Sequence, residues 1–187
     1  MNILLISGSD RTGSLNTQLL KYAENALSGK ASVQVLQYAD LPFYNGDQEF
    51  PAPESIRRIR QEVKQADALW FFCPEYNGNL TPLLINLIDW LSRPETPDLS
   101  FRSSLLKGKA YTISGIGGRG GARMAREKLS EMLRFLGMEG YSARDVSLVM
   151  SPAIFQTGSL ESMPKARTAI DAQAEGFLAW LNNRKQA

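Results

Sequence analysis

Five short apolar runs alternate with amphipathic patterns along this chain, and that alternation leaves few folds open. Residues 3–6, 33–38, 68–73, 109–114 and 146–150 read as strands. The run at 68–73 lacks polar alternation, as expected of a strand buried on both faces. A helical pattern follows each run. The first spans 14–27, with Leu15, Leu19, Leu20, Ala23 and Leu27 on one stripe. The second spans 53–65, with Ile56, Ile59 and Val63 inward. The others cover about 81–91, a segment ending near 136, and 164–181. Gly29 and Gly137 stand where the first and fourth helices would stop. Such repetition gives a parallel sheet with helices on both faces. Five strands fit the doubly wound order 2-1-3-4-5 better than a six-stranded dinucleotide fold. The 187 residues read as one domain, 1–187, without repeat or linker.

Composition removes whole classes of chemistry. There is no histidine, which excludes a histidine triad, a histidine metal site and histidine acid–base catalysis. The one cysteine, Cys73, can form neither an intrachain disulfide nor a zinc site. Its place at the end of a buried run marks it as a small core residue. With 21 basic and 19 acidic side chains the net charge is +2, too small to imply a nucleic-acid or membrane surface as partner. No run approaches the roughly 18 apolar residues of a membrane span, and the first residues lack the features of a signal peptide. A cytoplasmic protein is expected.

In a parallel sheet the loops after strands one, three and four leave from one carboxyl edge, where open α/β proteins place ligands. These are the three most distinctive stretches here. The first runs from Ser7 to Asn16 and has the look of a phosphate cradle. Ser9, Ser14 and Asn16 offer short donors, Gly8 and Gly13 expose backbone, and a helix N-terminus begins there. Arg11 adds a charge-assisted contact. It is not a Walker A loop, because no Gly-Lys-Ser/Thr follows. The plainer alternative is that Ser14 is simply a helix cap.

The second stretch breaks the buried strand at Pro74 and continues Glu75, Tyr76, Asn77, Gly78: a carboxylate, an aromatic face, an amide and a flexible backbone. An ordinary strand-to-helix turn would also read this way. The third, from Gly115 to Gly120, fits G-x-G-x-x-G literally. It follows strand four rather than strand one, and no acid ends the next strand, so a dinucleotide fingerprint is rejected. Glycines that let backbone pass close to a flat ring explain it better. Arg119 and Arg123 flank it and would either meet phosphates of a second ligand or be solvated. A phosphate cradle beside a flat, aromatic-rimmed slot describes a mononucleotide with a large ring, and FMN meets those demands.

At these residues the sequence resembles the NAD(P)H-dependent FMN reductase family of flavodoxin-like proteins, which includes quinone, azo-dye and chromate reductases. Gly8, Ser9, Arg11, Ser14 and Asn16 match its G-S-x-R-x-x-S-x-N pattern, and Pro74 to Gly78 match P-E-Y-N-G. Asn86, Asp89, Trp90, Ser92, Arg93 and Pro94 match the following helix and its exit, and the glycine-rich loop with Arg123 matches the third segment. The resemblance implies a flavodoxin-like fold, and FMN phosphate held at Ser9, Arg11, Ser14 and Asn16. It implies ring contacts from Pro74, Glu75, Tyr76, Asn77 and Gly78, and from Ser114, Gly117 and Gly118 opposite. It also implies a homodimer or homotetramer. The chain departs from the family at Asn79, where Ser is common, at Ile85, where Lys is common, and at Thr81, whose usual proline stands at Pro82. Ile85 leaves the third helix apolar nearly all round, so it is buried either against a partner subunit or within one chain.

The expected activity is electron transfer from NADPH or NADH through FMN to a small acceptor such as a quinone or azo compound, in a ping-pong cycle, with no catalytic side chain and no metal. The alternatives are a flavodoxin-type electron carrier, a reductase that releases free reduced FMN, and a regulatory protein that uses the fold without flavin. The irregular stretches 40–53 and 92–108 are expected to shape the acceptor pocket.

Overall fold

The computed structural model describes residues 1–98 and 104–184. Phe101 of the 92–108 stretch and Lys185 of the tail lie outside the described residues.

The strands are β1 (Asn2–Ser7), β2 (Ser32–Val35), β3 (Ala68–Phe72), β4 (Ala110–Gly117), β5 (Glu139–Gly140) and β6 (Val146–Val149). The helices are α1 (Leu15–Leu27), α2 (Glu54–Gln65), α3 (Pro82–Ser92), α4 (Arg123–Phe135), α5 (Pro152–Thr157) and α6 (Pro164–Arg184). The sheet order is β2-β1-β3-β4, and β5 and β6 share the place beyond β4. Every pairing is parallel. This is the flavodoxin-like order expected from the sequence.

Side-chain alternation along the strands feeds two cores. Ile3, Leu5, Trp70 and Phe72 face α1 and α6. Leu4, Ile6, Leu69, Phe71 and Cys73 face α2, α3 and α4. Both β1 and β3 are therefore apolar on two sides, which is why their sequences read as unbroken hydrophobic runs.

The structure corrects the sequence reading in three places. The fifth strand is split. Residues 139–140 pair with 110–111, and 146–149 pair with 114–117, so residues 141–145 loop out opposite Thr112 and Ile113. Thr112 Oγ1 holds the start of that excursion by donating to Tyr141 O at 2.9 Å. Next, β4 runs through Gly117, so Gly115 and Gly117 are strand residues and not part of a turn. Their missing side chains serve packing inside the chain: a Cβ on Gly115 would stand 2.7 Å from Cys73 O, and one on Gly117 2.8 Å from Ala122 N. Finally, α5 has no counterpart in the sequence reading. Ser151 caps it, Pro152 opens it and Gly158 closes it in a left-handed conformation.

The long 40–53 stretch is pinned to α3. Asn86 Nδ2 and Trp90 Nε1 both donate to Pro42 O at 2.9 Å, and Tyr44 N donates to Asn86 Oδ1 at 2.7 Å. The Tyr44 ring meets Trp90 edge-on at 5.1 Å. On α3 itself, Leu84, Leu87, Ile88, Trp90 and Leu91 are buried within one chain, whereas Leu83 and Ile85 are only half-buried.

Candidate active site

The first, second and third loops close around one groove at the carboxyl edge. Ser9, Arg11, Ser14 and Asn16 line it from below α1, Pro74, Glu75 and Tyr76 from the second loop, and Gly117 and Gly118 from the third. Leu15, Ile116 and Met150 complete the lining. No sequence motif pointed to these three. Met150 follows β6, so the loop rule that selected strands one, three and four would have found it had it been extended to the last strand.

The first loop is held by its own short side chains. Ser7 Oγ donates to Ser9 O at 2.9 Å and shares a hydrogen bond with Thr17 Oγ1 at 2.9 Å. Ser9 Oγ accepts from Arg11 N at 3.2 Å. Ser14 is the N-cap of α1, accepting from Thr17 N at 3.5 Å. A hydroxyl that accepts still has its own proton to give, so the cap and the cradle readings are compatible at this residue. The N–H groups of Leu15 and Asn16 lie in the first turn, where no intrahelical acceptor exists. Arg11 is exposed, and its guanidinium makes no hydrogen bond or ion pair among the described residues. One cation, Arg11, and the unpaired amides converge here, which suits a phosphate.

Asn16 also does something the sequence did not announce. Its Nδ2 donates to Ile116 O at 3.0 Å, and its Oδ1 accepts from Ile116 N at 3.1 Å. This reciprocal pair clamps the first turn of α1 to the end of β4. It fixes the distance between the cradle and the third loop, and leaves one amide proton of Asn16 unused.

The second loop is a two-residue hairpin. Tyr76 and Asn79 exchange backbone hydrogen bonds at 3.0 Å across Asn77 and Gly78, both of which have positive φ. Asn-Gly is the pair that such a turn favours. The hairpin pushes Tyr76 outward, where half of its surface is exposed at the rim. Asn77 and Gly78 form the turn and do not line the groove itself. Glu75 turns to α4, whose own N-cap, Ala122, has no side-chain acceptor. Its Oε2 accepts from Ala125 N at 3.1 Å, so a residue of the second loop caps the helix of the third. Lys128 of α4 returns a hydrogen bond to Gly78 O at 2.8 Å.

Ser114 is a further predicted site residue that does not line the groove. It is fully buried on the α6 side of β4, where its Oγ accepts from Trp70 Nε1 at 2.9 Å and donates to Gln173 Oε1 at 2.7 Å. Gly118, by contrast, has nothing within 4 Å of where a Cβ would be, so it leaves open space over the groove. Arg123 pairs with Glu127 at 3.2 Å on the surface, and Arg119 is exposed.

Cys73 lies beneath the second loop and takes no part as a nucleophile. Burial pushes its thiol up to about 12, with Arg126 acting weakly the other way, so the thiolate is absent at neutral pH. Tyr38 is also buried, and its hydroxyl donates to Ser7 O. Burial holds its pKa far above the usual phenol range. Among the described residues no cluster of acids, cysteine and histidine could hold a metal, and no helix is long and apolar enough to cross a membrane.

A parallel sheet with an amide-rich cradle and an open aromatic rim at its carboxyl edge defines a mononucleotide-binding α/β protein of the flavodoxin-like class. Within that class the chain belongs to the NADPH-dependent FMN reductase family, whose model matches residues 1–151. It is 32% identical over 183 residues to an NAD(P)H-dependent FMN reductase of Pseudomonas aeruginosa, covering 97% of this chain and 95% of that protein. It is 30% identical to a quinone reductase of Escherichia coli K12, covering 91% of this chain and 86% of that one. In structure it resembles FerB, a flavoenzyme NAD(P)H:(acceptor) oxidoreductase of Paracoccus denitrificans, with a TM-score of 0.81, 27% identity and 97% of both chains covered. The family is one of oxidoreductases that work with FMN and NAD(P)H.

Proposed function

We propose that the groove holds FMN, with the phosphate at Ser9, Arg11, Ser14 and Asn16 and the ring between Pro74–Tyr76 and Gly117–Gly118. The observation that carries this is the convergence of three loops on one groove. Unpaired helix amides and a free guanidinium lie at one end. An exposed tyrosine and an unfilled glycine lie at the other. Asn77 and Gly78 support the ring edge through the hairpin, and Ser114, its hydroxyl committed to Trp70 and Gln173, supports β4 rather than touching the ring. Bound there, FMN would supply the redox chemistry between NADPH or NADH and a quinone, azo compound or similar small acceptor. The side chains bind and orient. Neither a titrating acid nor a thiolate is required of them.

Donor and acceptor take turns at the same open rim, which gives ping-pong kinetics. The protein is a homodimer or homotetramer, a reading supported by the half-buried Leu83 and Ile85 on α3. It works in the cytoplasm, in keeping with its single, unpaired cysteine. Visible absorption of the purified protein with added FMN, before and after anaerobic NADPH, tests the central reading. Flavin bands that bleach support it. Failure to take up FMN would sink it. Bands that bleach without steady NAD(P)H oxidation when a quinone is added would favour an electron carrier.

A further inference from the structure

A second depression lies away from the groove, along the flank of α2. It measures about 480 Å³ and shares no lining residue with the groove. Arg57, Arg60 and Lys64 line it at i, i+3 and i+7, the spacing that puts side chains on one helix stripe. Phe50 and Ala52 form an apolar wall, and Glu95 closes the far side.

Arg60 sets this stripe apart from an ordinary solvated helix face. It is only 4% exposed. Its Nη2 donates to Trp90 O at 3.1 Å, but its buried Nε has no hydrogen-bond partner among the described residues. No carboxylate among the described residues lies within ion-pair distance of it. Burial lowers its pKa from the usual arginine range, with Glu95 and Glu49 opposing the shift only from a distance. A buried cation with an unused donor is costly unless something completes it.

The neighbours suggest what does. Arg57 Nη1 donates to Ala52 O at 2.6 Å, which anchors the guanidinium and leaves the rest of its fork open. Lys64 pairs with Glu95 at 2.6 Å. Among the described lining residues three cations face one carboxylate, with Glu49 acting from farther off, and this net positive lining suits a phosphate monoester dianion. Guanidinium forks match phosphate oxygens in geometry as well as charge. The Phe50 ring stands beside them, partly exposed.

We propose that the α2 depression binds a phosphate monoester with an apolar or aromatic organic part, its phosphate gripped by Arg60 and Arg57 and its organic part lying against Phe50. This site is separate from the groove and does not rest on the FMN reading.

Calorimetric titration of phenyl phosphate into the full chain, saturated with FMN and held at fixed ionic strength, tests it. The expected result is one saturable binding event that inorganic phosphate competes away and that phenol alone does not reproduce. Arg57→Gln, at an exposed position, should weaken binding about tenfold. Arg60→Gln should abolish it, and Lys64→Gln should weaken it. If Arg60→Gln does not fold, the two exposed variants carry the test. Arg11→Gln separates the two sites, because the α2 site should bind phenyl phosphate unchanged in that variant even if the chain takes up no FMN. No saturable event, binding that survives Arg57→Gln, or binding lost in Arg11→Gln would each overturn the proposal.

Discussion

A buried polar cluster and a half-buried one press against β4 from opposite faces, and they are built to different standards. On the α6 side, Gln173 donates to Thr112 Oγ1 at 2.7 Å and to Ile113 O at 3.0 Å, and accepts from Ser114 Oγ at 2.7 Å. Trp70 and Tyr141 complete that network at its two ends. On the α4 side, Arg126 and Asp145 approach only to 3.6 Å, and Arg126 Nε, Arg126 Nη1 and Asp145 Oδ1 have no hydrogen-bond partner among the described residues. The first cluster joins α6 to a continuous strand. The second bridges α4 to the excursion at 141–145, where the fifth strand is interrupted. Satisfied polar groups lock an element in place, whereas unsatisfied ones mark a place where the chain retains a charge at some cost.

The largest expected effect comes from breaking the satisfied side. Gln173→Ala removes three hydrogen bonds and strands their partners in a wholly buried site. It should cost about 4 kcal/mol, read by urea unfolding. An effect within experimental error would mean that the network adds nothing beyond packing. Asn16→Ala cuts the reciprocal clamp to Ile116. A loss of about 2 kcal/mol is expected, together with weaker FMN binding, because the cradle and third loop lose their fixed spacing. Unchanged FMN affinity in a destabilised Asn16→Ala protein would confine that residue to a structural role.

The unsatisfied side makes a prediction of opposite sign. Burial raises the Asp145 pKa to about 6 from its ordinary value, against the weaker pull of Arg126 and a backbone hydrogen bond from Ile113. The folded chain therefore holds this proton over a range in which the unfolded chain has released it. Stability from this group is fully present below about pH 4 and is lost as pH rises through about 6. Asp145→Asn should flatten that decline and stabilise the protein at about pH 8 by roughly 1–2 kcal/mol. A wild-type stability profile that rises across this interval, with no difference in the variant, would remove the contrast between the clusters. The smallest effect concerns the helix beside that cluster. Glu75→Ala strips α4 of its borrowed cap and should cost about 1 kcal/mol in thermal unfolding, while Glu75→Gln, which keeps an acceptor, should cost less.

Much of this was legible in the sequence because two rules act locally. Doubly buried strands declare themselves by unbroken apolar runs, as at Ala68–Phe72, and their carboxyl ends then share one edge whatever the loops contain. That logic brought Ser9, Arg11, Pro74, Tyr76 and Gly118 into one groove. The failures are equally physical. The glycines at 115 and 117 look like a loop, yet they serve close packing against Cys73 and Ala122, a constraint that depends on residues distant in sequence. Ser114 had the right position along its strand, but side chains alternate, and its neighbour in the fold, Gln173, lies 59 residues away. The short strand at Glu139–Gly140 carries no apolar signal because both residues are exposed. The Ser151-Pro152 start and Gly158 stop of α5 are legible signals for a short helix.

The split fifth strand also bears on how the molecule behaves in a crowded solution. An open sheet offers unpaired backbone at its two margins, and a long, flat margin invites another chain to add itself. Here one margin is β2, four residues long, and the other is broken into segments of two and four residues by the excursion at 141–145. Neither gives an incoming strand a run on which to zip up. The interruption that left Asp145 beside Arg126 thus also blunts a template for self-addition, so the sheet ends where the fold does.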